Sequence, residues 1–388
     1  MHQIFRPAAM LALLGSFSAG VPAASAQGDF YGATRAELAG PPGSVIRRDE
    51  PHGATLGKVH RVLYRSTGLA GEPIAVSGLV IVPHGGAPAG GRDIVAWAHP
   101  TTGVATSCAP SLERNVLDTI PGLSDFISRG YVVVATDYPG LGTAGQHPYL
   151  IGSSEGRAVL DSVRAARAID EALAGDRFAV WGHSQGGHAA LFAGALAASY
   201  APELKLAGIA AAAPAVELGA LLAAEANTMN GNILTALAVS AWSKVYGAPL
   251  ESIVTPAAVS GVEKIAATCI ESVRNVMTDR KAEHKVAGGF LAADPNHVEP
   301  WKKFLTENSP GTRYPGVPLL IARSTTDADI APAVSADFVE RLCRDRAHVR
   351  VVTLDGVAHY NMGFENAQVA AGWIGDRFDG VPAPSSCP

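Results

Sequence analysis

The sequence predicts a mostly parallel α/β sheet of eight strands, with helices on both faces and a helical insertion after the sixth strand. Three observations lead there. An alternating hairpin comes first, short continuous apolar runs then alternate with helical patterns, and positions 214–315 break that rhythm without a good strand. Apolar runs of this length suit strands covered on both faces, and strand–helix alternation suits parallel pairing with right-handed crossovers.

Taken in chain order, residues 1–26 hold no acidic side chain, carry Arg6 near the start, run apolar over 7–17 and close on Ala24-Ser25-Ala26. A basic start, a short apolar run and small residues before Gln27 predict a cleaved secretory signal peptide and a secreted or periplasmic protein, since the run is too short to span a bilayer. Residues 58–67 alternate as a strand, and 74–83 are its partner across the turn at 68–71. Six apolar runs follow as strands, at 94–98, 131–136, 178–181, 206–213, 317–322 and 349–354. Helical patterns lie between them at 115–129, 155–174, 187–200 and 333–344; in the second, Val159, Val163, Ala166 and Ile169 form the apolar stripe. Residues 214–315 are rich in Ala and Leu and read as helices at 217–228, 233–246 and 256–271, an insertion long enough to be a lid. The expected organisation is a signal peptide at 1–26, a core of 27–213 with 316–388, and a lid or cap at 214–315.

Composition narrows the function. At 48% hydrophobic and 17% charged residues the chain is no disordered polymer, and a formal charge of −5 without any Lys/Arg-rich block argues against a nucleic-acid partner. Cys108, Cys269, Cys343 and Cys387 are even in number in an exported chain, which suggests two disulfides, and their spacing fits no zinc site. Three pairings are open at this point.

The chemistry gathers at Gly182-His183-Ser184-Gln185-Gly186-Gly187, between the strand at 178–181 and the helix at 187–200. Glycines two positions either side of a serine permit a turn so tight that the hydroxyl projects into a cleft at the positive end of the next helix. A serine needs a base to take its proton and a carboxylate to orient that base. Around such an elbow the acid follows a late strand and the histidine follows the last one. His359 lies after the strand at 349–354, and Asp327 after that at 317–322. Asp329 competes with Asp327 but is placed to cap the following helix, and Asp355 suits a turn. For a developing oxyanion, the backbone N–H of Gln185 is one expected donor; the other belongs to the loop His99-Pro100-Thr101-Thr102-Gly103, where Pro100 has no N–H and Thr101 is favoured over Thr102. This chemistry requires neither metal nor organic cofactor.

These residues also carry a resemblance. Trp97-Ala98-His99-Pro100-Thr101-Thr102-Gly103, Cys108-Ala109-Pro110-Ser111, the elbow, Asp327 with Pro332 beyond it, and Leu342-Cys343 resemble the secretory lipase family of α/β-hydrolases over roughly residues 40–385. The resemblance implies an α/β-hydrolase fold, a secreted serine esterase or lipase, a helical lid at 214–315, and disulfides joining Cys108 to Cys269 and Cys343 to Cys387. The expected partner is a small-molecule or lipid ester, the latter met in a transient contact with its interface. A triad alone does not say which acyl bond is cleaved, so a peptidase or amidase is the rival enzyme, and an exported binding protein that keeps the fold is the rival from another class.

Overall fold

The structure, a computed structural model, describes residues 30–51, 56–226, 228–270, 286 and 289–388. The expected signal peptide at 1–26 lies outside the described residues.

Strands β1 (Val45–Asp49), β2 (Gly57–Thr67), β3 (Pro73–Pro83), β4 (Arg92–Ala98), β5 (Val132–Thr136), β6 (Ala174–His183), β7 (Lys205–Ala212), β8 (Leu319–Ser324) and β9 (Val349–Leu354) form one sheet in the order β1-β2-β3-β5-β4-β6-β7-β8-β9. The hairpin β2–β3 is antiparallel along its full length, from Gly57 opposite Pro83 to Thr67 opposite Pro73. From β5 to β9 all neighbours are parallel. Nine strands among the described residues correct the count of eight. The extra one, β1, pairs only with β2 and contains Arg47-Arg48-Asp49, so neither alternation nor an apolar run marks it. As an edge strand it is held by its backbone ladder to β2 and by side-chain ion pairs, Arg47 with Glu37, Arg48 with Glu171 and Asp49 with Arg61.

Successive residues of the central strands enter opposite cores. Val95, Trp97, Val133, Ala179 and Trp181 pack on one face, while Ile94, Ala96, Val132, Phe178 and Val180 pack on the other. Both faces being covered, each strand reads as a continuous apolar run, as parallel sheets require.

The helices are α1 (Leu123–Ser128), α2 (Gly152–Arg167), α3 (Gln185–Tyr200), then α4 (Leu218–Glu225), α5 (Met229–Tyr246), α6 (Val259–Ala266) and α7 (Trp301–Glu307) in the insertion, followed by α8 (Pro332–Arg344), α9 (Met362–Glu365) and α10 (Ala367–Phe378). Helices α2, α3 and α8 cover one face; α1 and α10 cover the other. The helix expected at 115–129 is broken into a 3₁₀ turn and α1, because Pro121 between them lacks the N–H that continuation needs. Within the insertion, α5 starts four residues earlier than expected, capped by Thr228 Oγ1 accepting from the Gly231 N–H at 3.0 Å. Ile233, Leu237, Trp242, Trp301 and Phe304 of the insertion join the same apolar cluster as α1 and α10.

Two disulfides tie distant parts together: Cys108 is bonded to Cys269 and Cys343 to Cys387. The first joins the loop after β4 to the insertion, and beside it the Ile270 N–H donates to Thr102 O at 2.8 Å. The second fastens the C-terminal tail to the end of α8. The bridges close segments of 161 and 44 residues, which in the chain-entropy account stabilise by about 4 to 5 kcal/mol each before native strain is subtracted. Replacing either pair by serines is therefore expected to lower unfolding free energy by roughly 2 to 5 kcal/mol. Urea titration of the two double variants reads this directly, and unchanged midpoints would show that the bridges do not constrain the unfolded chain.

Candidate active site

Strand β6 ends at His183 and α3 begins at Gln185, so Ser184 alone makes the turn, with φ +56° and ψ −118°. A non-glycine residue in this region costs on the order of 1–3 kcal/mol and persists only where its surroundings fix it. Here the Ser184 N–H donates to Ala212 O at 3.0 Å, and Ser184 O accepts from the N–H groups of His188 at 3.0 Å and Ala215 at 3.2 Å. The flanking glycines are steric necessities. A Cβ on Gly186 would sit 1.8 Å from Ala98 O, and one on Gly182 would sit 2.1 Å from Gly186 O.

The sheet brings the other predicted residues to the same edge. Asp327 follows β8 and His359 opens a 3₁₀ turn after β9; His359 reaches Ser184, and Asp327 reaches His359, from the carboxyl ends of parallel strands, where open α/β sheets place their sites. His359 Nε2 is 2.8 Å from Ser184 Oγ, and His359 Nδ1 is 2.9 Å from Asp327 Oδ2. The ionised carboxylate can only accept, so Nδ1 carries the proton and Nε2 offers its lone pair to the serine hydroxyl. Burial pushes the Asp327 carboxyl upward, but the His359 contact and the N–H groups of Ile330 and Asp329 outweigh it and hold it below the usual carboxylate range. Those two N–H groups donate to Asp327 Oδ1 at 2.7 and 2.9 Å.

The competing aspartates do other work. Asp329 Oδ1 accepts from Asn230 Nδ2 of α5 at 3.1 Å, and the cap expected from it is absent: α8 is preceded by Ala331, with no side-chain cap. Pro332 at the first helical position needs no acceptor for a missing N–H, which leaves less for a cap to satisfy. Asp355, in the turn after β9, accepts from Thr325 Oγ1 of the loop after β8 at 2.6 Å.

Gln185 occupies the first position of α3, where a backbone N–H has no helical acceptor, and it points from the positive end of the helix. The threonine loop begins against this first turn, as the approach of the Ala98 and His99 carbonyls to Gly186 shows. Thr101 Oγ1 shares a 2.9 Å hydrogen bond with Tyr149 OH, and Thr102 is committed through its carbonyl to Ile270. Sequence reasoning missed the polar side chains behind this loop: Glu155, His147, His188 and Asn308, all buried. One signal was available, since Glu155 lies four residues before Val159 and so on the apolar stripe of α2.

In the sequence His183 is part of the elbow. Its Nε2 lies 2.9 Å from His359 O and donates to it, and the two imidazoles stand 5.0 Å apart. Burial, reinforced by His359, lowers the His183 pKa to about 3, so it stays neutral. Among the described residues no group of three or more His, Cys, Asp or Glu is placed to hold a metal ion.

A strained serine on an elbow, backed by a histidine and a buried aspartate at the carboxyl edge of a parallel sheet, defines a serine hydrolase of the α/β-hydrolase class. The chain belongs to the secretory lipase family, whose model matches residues 118–386, and is thus a carboxylic ester hydrolase. It is similar to Lipase A of Arthroderma benhamiae, at 25% identity over 378 residues, 89% of this chain and 78% of that one. The solved structure of Candida antarctica lipase A in its closed state superposes with a TM-score of 0.77 at 21% identity, covering 93% of this chain and 88% of the other. The rice cell wall degrading esterase LipA from Xanthomonas oryzae gives 0.71 at 21% identity, over 88% and 98%. Identities at this level show the shared fold.

The buried ionisable groups set a pH dependence of stability. Burial lowers His99 to about 4 and His147 and His183 to about 3, so below pH ~6.5 the unfolded chain binds protons that the folded one refuses, and stability falls as pH drops. The lowered Asp327 adds to this acid loss. Glu225, at the end of α4, acts oppositely: burial, then Asp329 and Asp327, raise it to about 9, so stability falls as pH rises from about 4.5 to 9. The melting temperature is expected to peak between about pH 6 and 7, and Glu225→Gln to flatten the alkaline side. A calorimetric series over pH 4–9 on both proteins checks this; parallel alkaline slopes would remove Glu225 from the account.

Proposed function

We propose that this protein is exported by a signal peptide cleaved after Ala26 and hydrolyses carboxylic esters through an acyl-enzyme on Ser184. The observation that carries the assignment is the continuous relay from Ser184 Oγ to His359 Nε2 and from His359 Nδ1 to Asp327, at 2.8 and 2.9 Å. Ser184 Oγ attacks the ester carbonyl carbon while its proton passes to Nε2. The carbonyl oxygen becomes an oxyanion facing the backbone N–H groups of Gln185 and Thr101, and Asp327 holds the imidazolium that has formed. Collapse of the tetrahedral species returns the electron pair to the carbonyl, and His359 gives its proton to the leaving alkoxide. Water, deprotonated by the same imidazole, then attacks the acyl carbon and frees the acid and Ser184.

The insertion at 214–315 is the lid in this reading. Its apolar helices and the exposed rings of Tyr360 and Phe364 beside His359, 62% and 53% exposed, support a substrate with an apolar acyl part met at a lipid interface. Lipase A of Arthroderma benhamiae and the Xanthomonas oryzae esterase, by name a lipase and an esterase, support the ester over the amide.

Ser184→Ala is expected to abolish turnover of p-nitrophenyl esters with the melting temperature nearly unchanged. Asp327→Asn should lower kcat by about 10⁴ by presenting the wrong partner to the imidazole, whereas Asp329→Asn should stay within roughly tenfold of wild type because its contact is to Asn230. Labelling by an organophosphonate followed by peptide mapping should place the adduct on Ser184. Turnover in folded Ser184→Ala, or faster cleavage of peptide anilides than of esters, would overturn the assignment.

A further inference from the structure

Behind the proposed oxyanion donors lies a closed polar network centred on a carboxylate that the triad does not use. Glu155, in the first turn of α2, is fully buried. Its Oε1 accepts from the Leu150 N–H at 2.9 Å and from Gln185 Nε2 at 2.8 Å, and its Oε2 lies 2.7 Å from His188 Nδ1. The Gln185 amide also donates to His147 Nε2 at 3.1 Å, whose ring is oriented by Nδ1–H donating to Pro139 O at 2.8 Å. His188 Nε2 reaches Asn308 O at 2.8 Å, past the end of α7 in the insertion.

Proton counting constrains this cluster. Both nitrogens of His188 face oxygens, Glu155 Oε2 and Asn308 O. A neutral imidazole beside a carboxylate has one N–H for two acceptors, so the pair holds one further proton and is net neutral, whichever partner carries it. That is the condition under which a carboxyl and an imidazole with no solvent exposure persist.

The network touches both sides of the proposed oxyanion hole. On one side Glu155 grips the side chain of Gln185, whose backbone N–H is the first donor. On the other, the segment that Glu155 holds at Leu150 includes Tyr149, which bonds Thr101 Oγ1 at 2.9 Å and accepts at its backbone carbonyl from Trp242 Nε1 of α5 at 2.8 Å. A donor must stand within a few tenths of an ångström of the developing charge to act on it. We infer that Glu155, with His188, is the positioning residue that sets the register of the two oxyanion donors and couples that register to the seating of the insertion. The inference rests on the assignment of Gln185 and Thr101 made above.

Positioning by Glu155 has a signature that bulk stability lacks. In Glu155→Ala, kcat on p-nitrophenyl butyrate is expected to fall about 10²- to 10³-fold, the effect of one lost oxyanion donor, with KM within about threefold. Affinity for phenylboronic acid, whose adduct on Ser184 places an oxygen in the hole, should fall in parallel. Glu155→Gln should recover kcat to within about tenfold of wild type: its Oε1 keeps both donors, and its NH₂ donates to a neutral His188 Nδ1 while Nε2–H stays on Asn308 O. A folded Glu155→Ala with wild-type kcat and boronate affinity overturns the proposal, as does a glutamine variant no better than alanine. Should Glu155→Ala not fold, Gln185→Met decides by the same readings, since it removes the anchoring amide and keeps the backbone N–H; unchanged kcat there overturns the proposal too. These failures are separable from failure of the site assignment, which would appear as turnover in Ser184→Ala.

Discussion

The contact between the first turn of α3 and the end of β4 is the constraint on which the site depends. No side-chain atom fits between Gly186 and the Ala98 carbonyl, so helix and strand meet backbone to backbone. This close approach obliges the chain to reverse within one residue, and Ser184 takes the positive φ that the reversal needs. Its strain is balanced by three backbone hydrogen bonds, to Ala212, Ala215 and His188, which also join β7 and α3 to the turn. The same approach lays the threonine loop beside the helix N-terminus. The proposed nucleophile and oxyanion donors are thus consequences of one packing contact, and the glycines are there because that contact has no room for a Cβ.

Around this contact the sheet acts as a rigid ruler. Parallel strands β6, β8 and β9 stop at one edge, so residues 175 and 32 positions apart in sequence meet within hydrogen-bond distance. Asp327 is held from two directions, by N–H groups of its own loop and by the imidazole, while Asp329 two residues on faces the insertion. An alternation of direction along a short loop separates an orienting carboxylate from one that docks α5. His183 adds a second restraint on His359 through the backbone carbonyl, so the histidine is fixed at ring and main chain alike.

What was legible in the sequence follows from this division. The central strands were legible because both faces are buried, which leaves an unbroken apolar run; β1 was not, because Arg47-Arg48-Asp49 at a sheet edge obeys no burial pattern and is fixed by its ladder to β2 and by ion pairs to residues distant in sequence. Ser184, Asp327 and His359 were legible because their positions relative to strand ends follow from topology, and the elbow because sterics dictate its glycines. The Glu155 network was not singled out, since its members, His147, Glu155, Gln185, His188 and Asn308, come from four separate segments and share no spacing rule. Glu155 on the stripe of α2 was a visible anomaly, but the position of a helical carboxylate does not say what it binds. The pairing of the cysteines likewise came from family resemblance, since four cysteines alone permit three arrangements.

Five of the histidines near the serine divide by what stands behind the ring. His99, His147 and His183 are buried without a carboxylate in contact, and burial drives each of them neutral. His188 and His359 each have a carboxylate on Nδ1, Glu155 at 2.7 Å and Asp327 at 2.9 Å. The two pairs share a chemical design and differ on the far nitrogen. For His188 that nitrogen ends on a backbone carbonyl, which accepts but never gives up a proton, so the pair is static. For His359 it ends on a hydroxyl, whose proton can be taken. Solvent access follows the same split, since the His359 side chain keeps 10% exposure and that of His188 none. In the proposed mechanism one imidazole–carboxylate pair is thereby available for proton transfer, and its buried counterpart holds the scaffold around it.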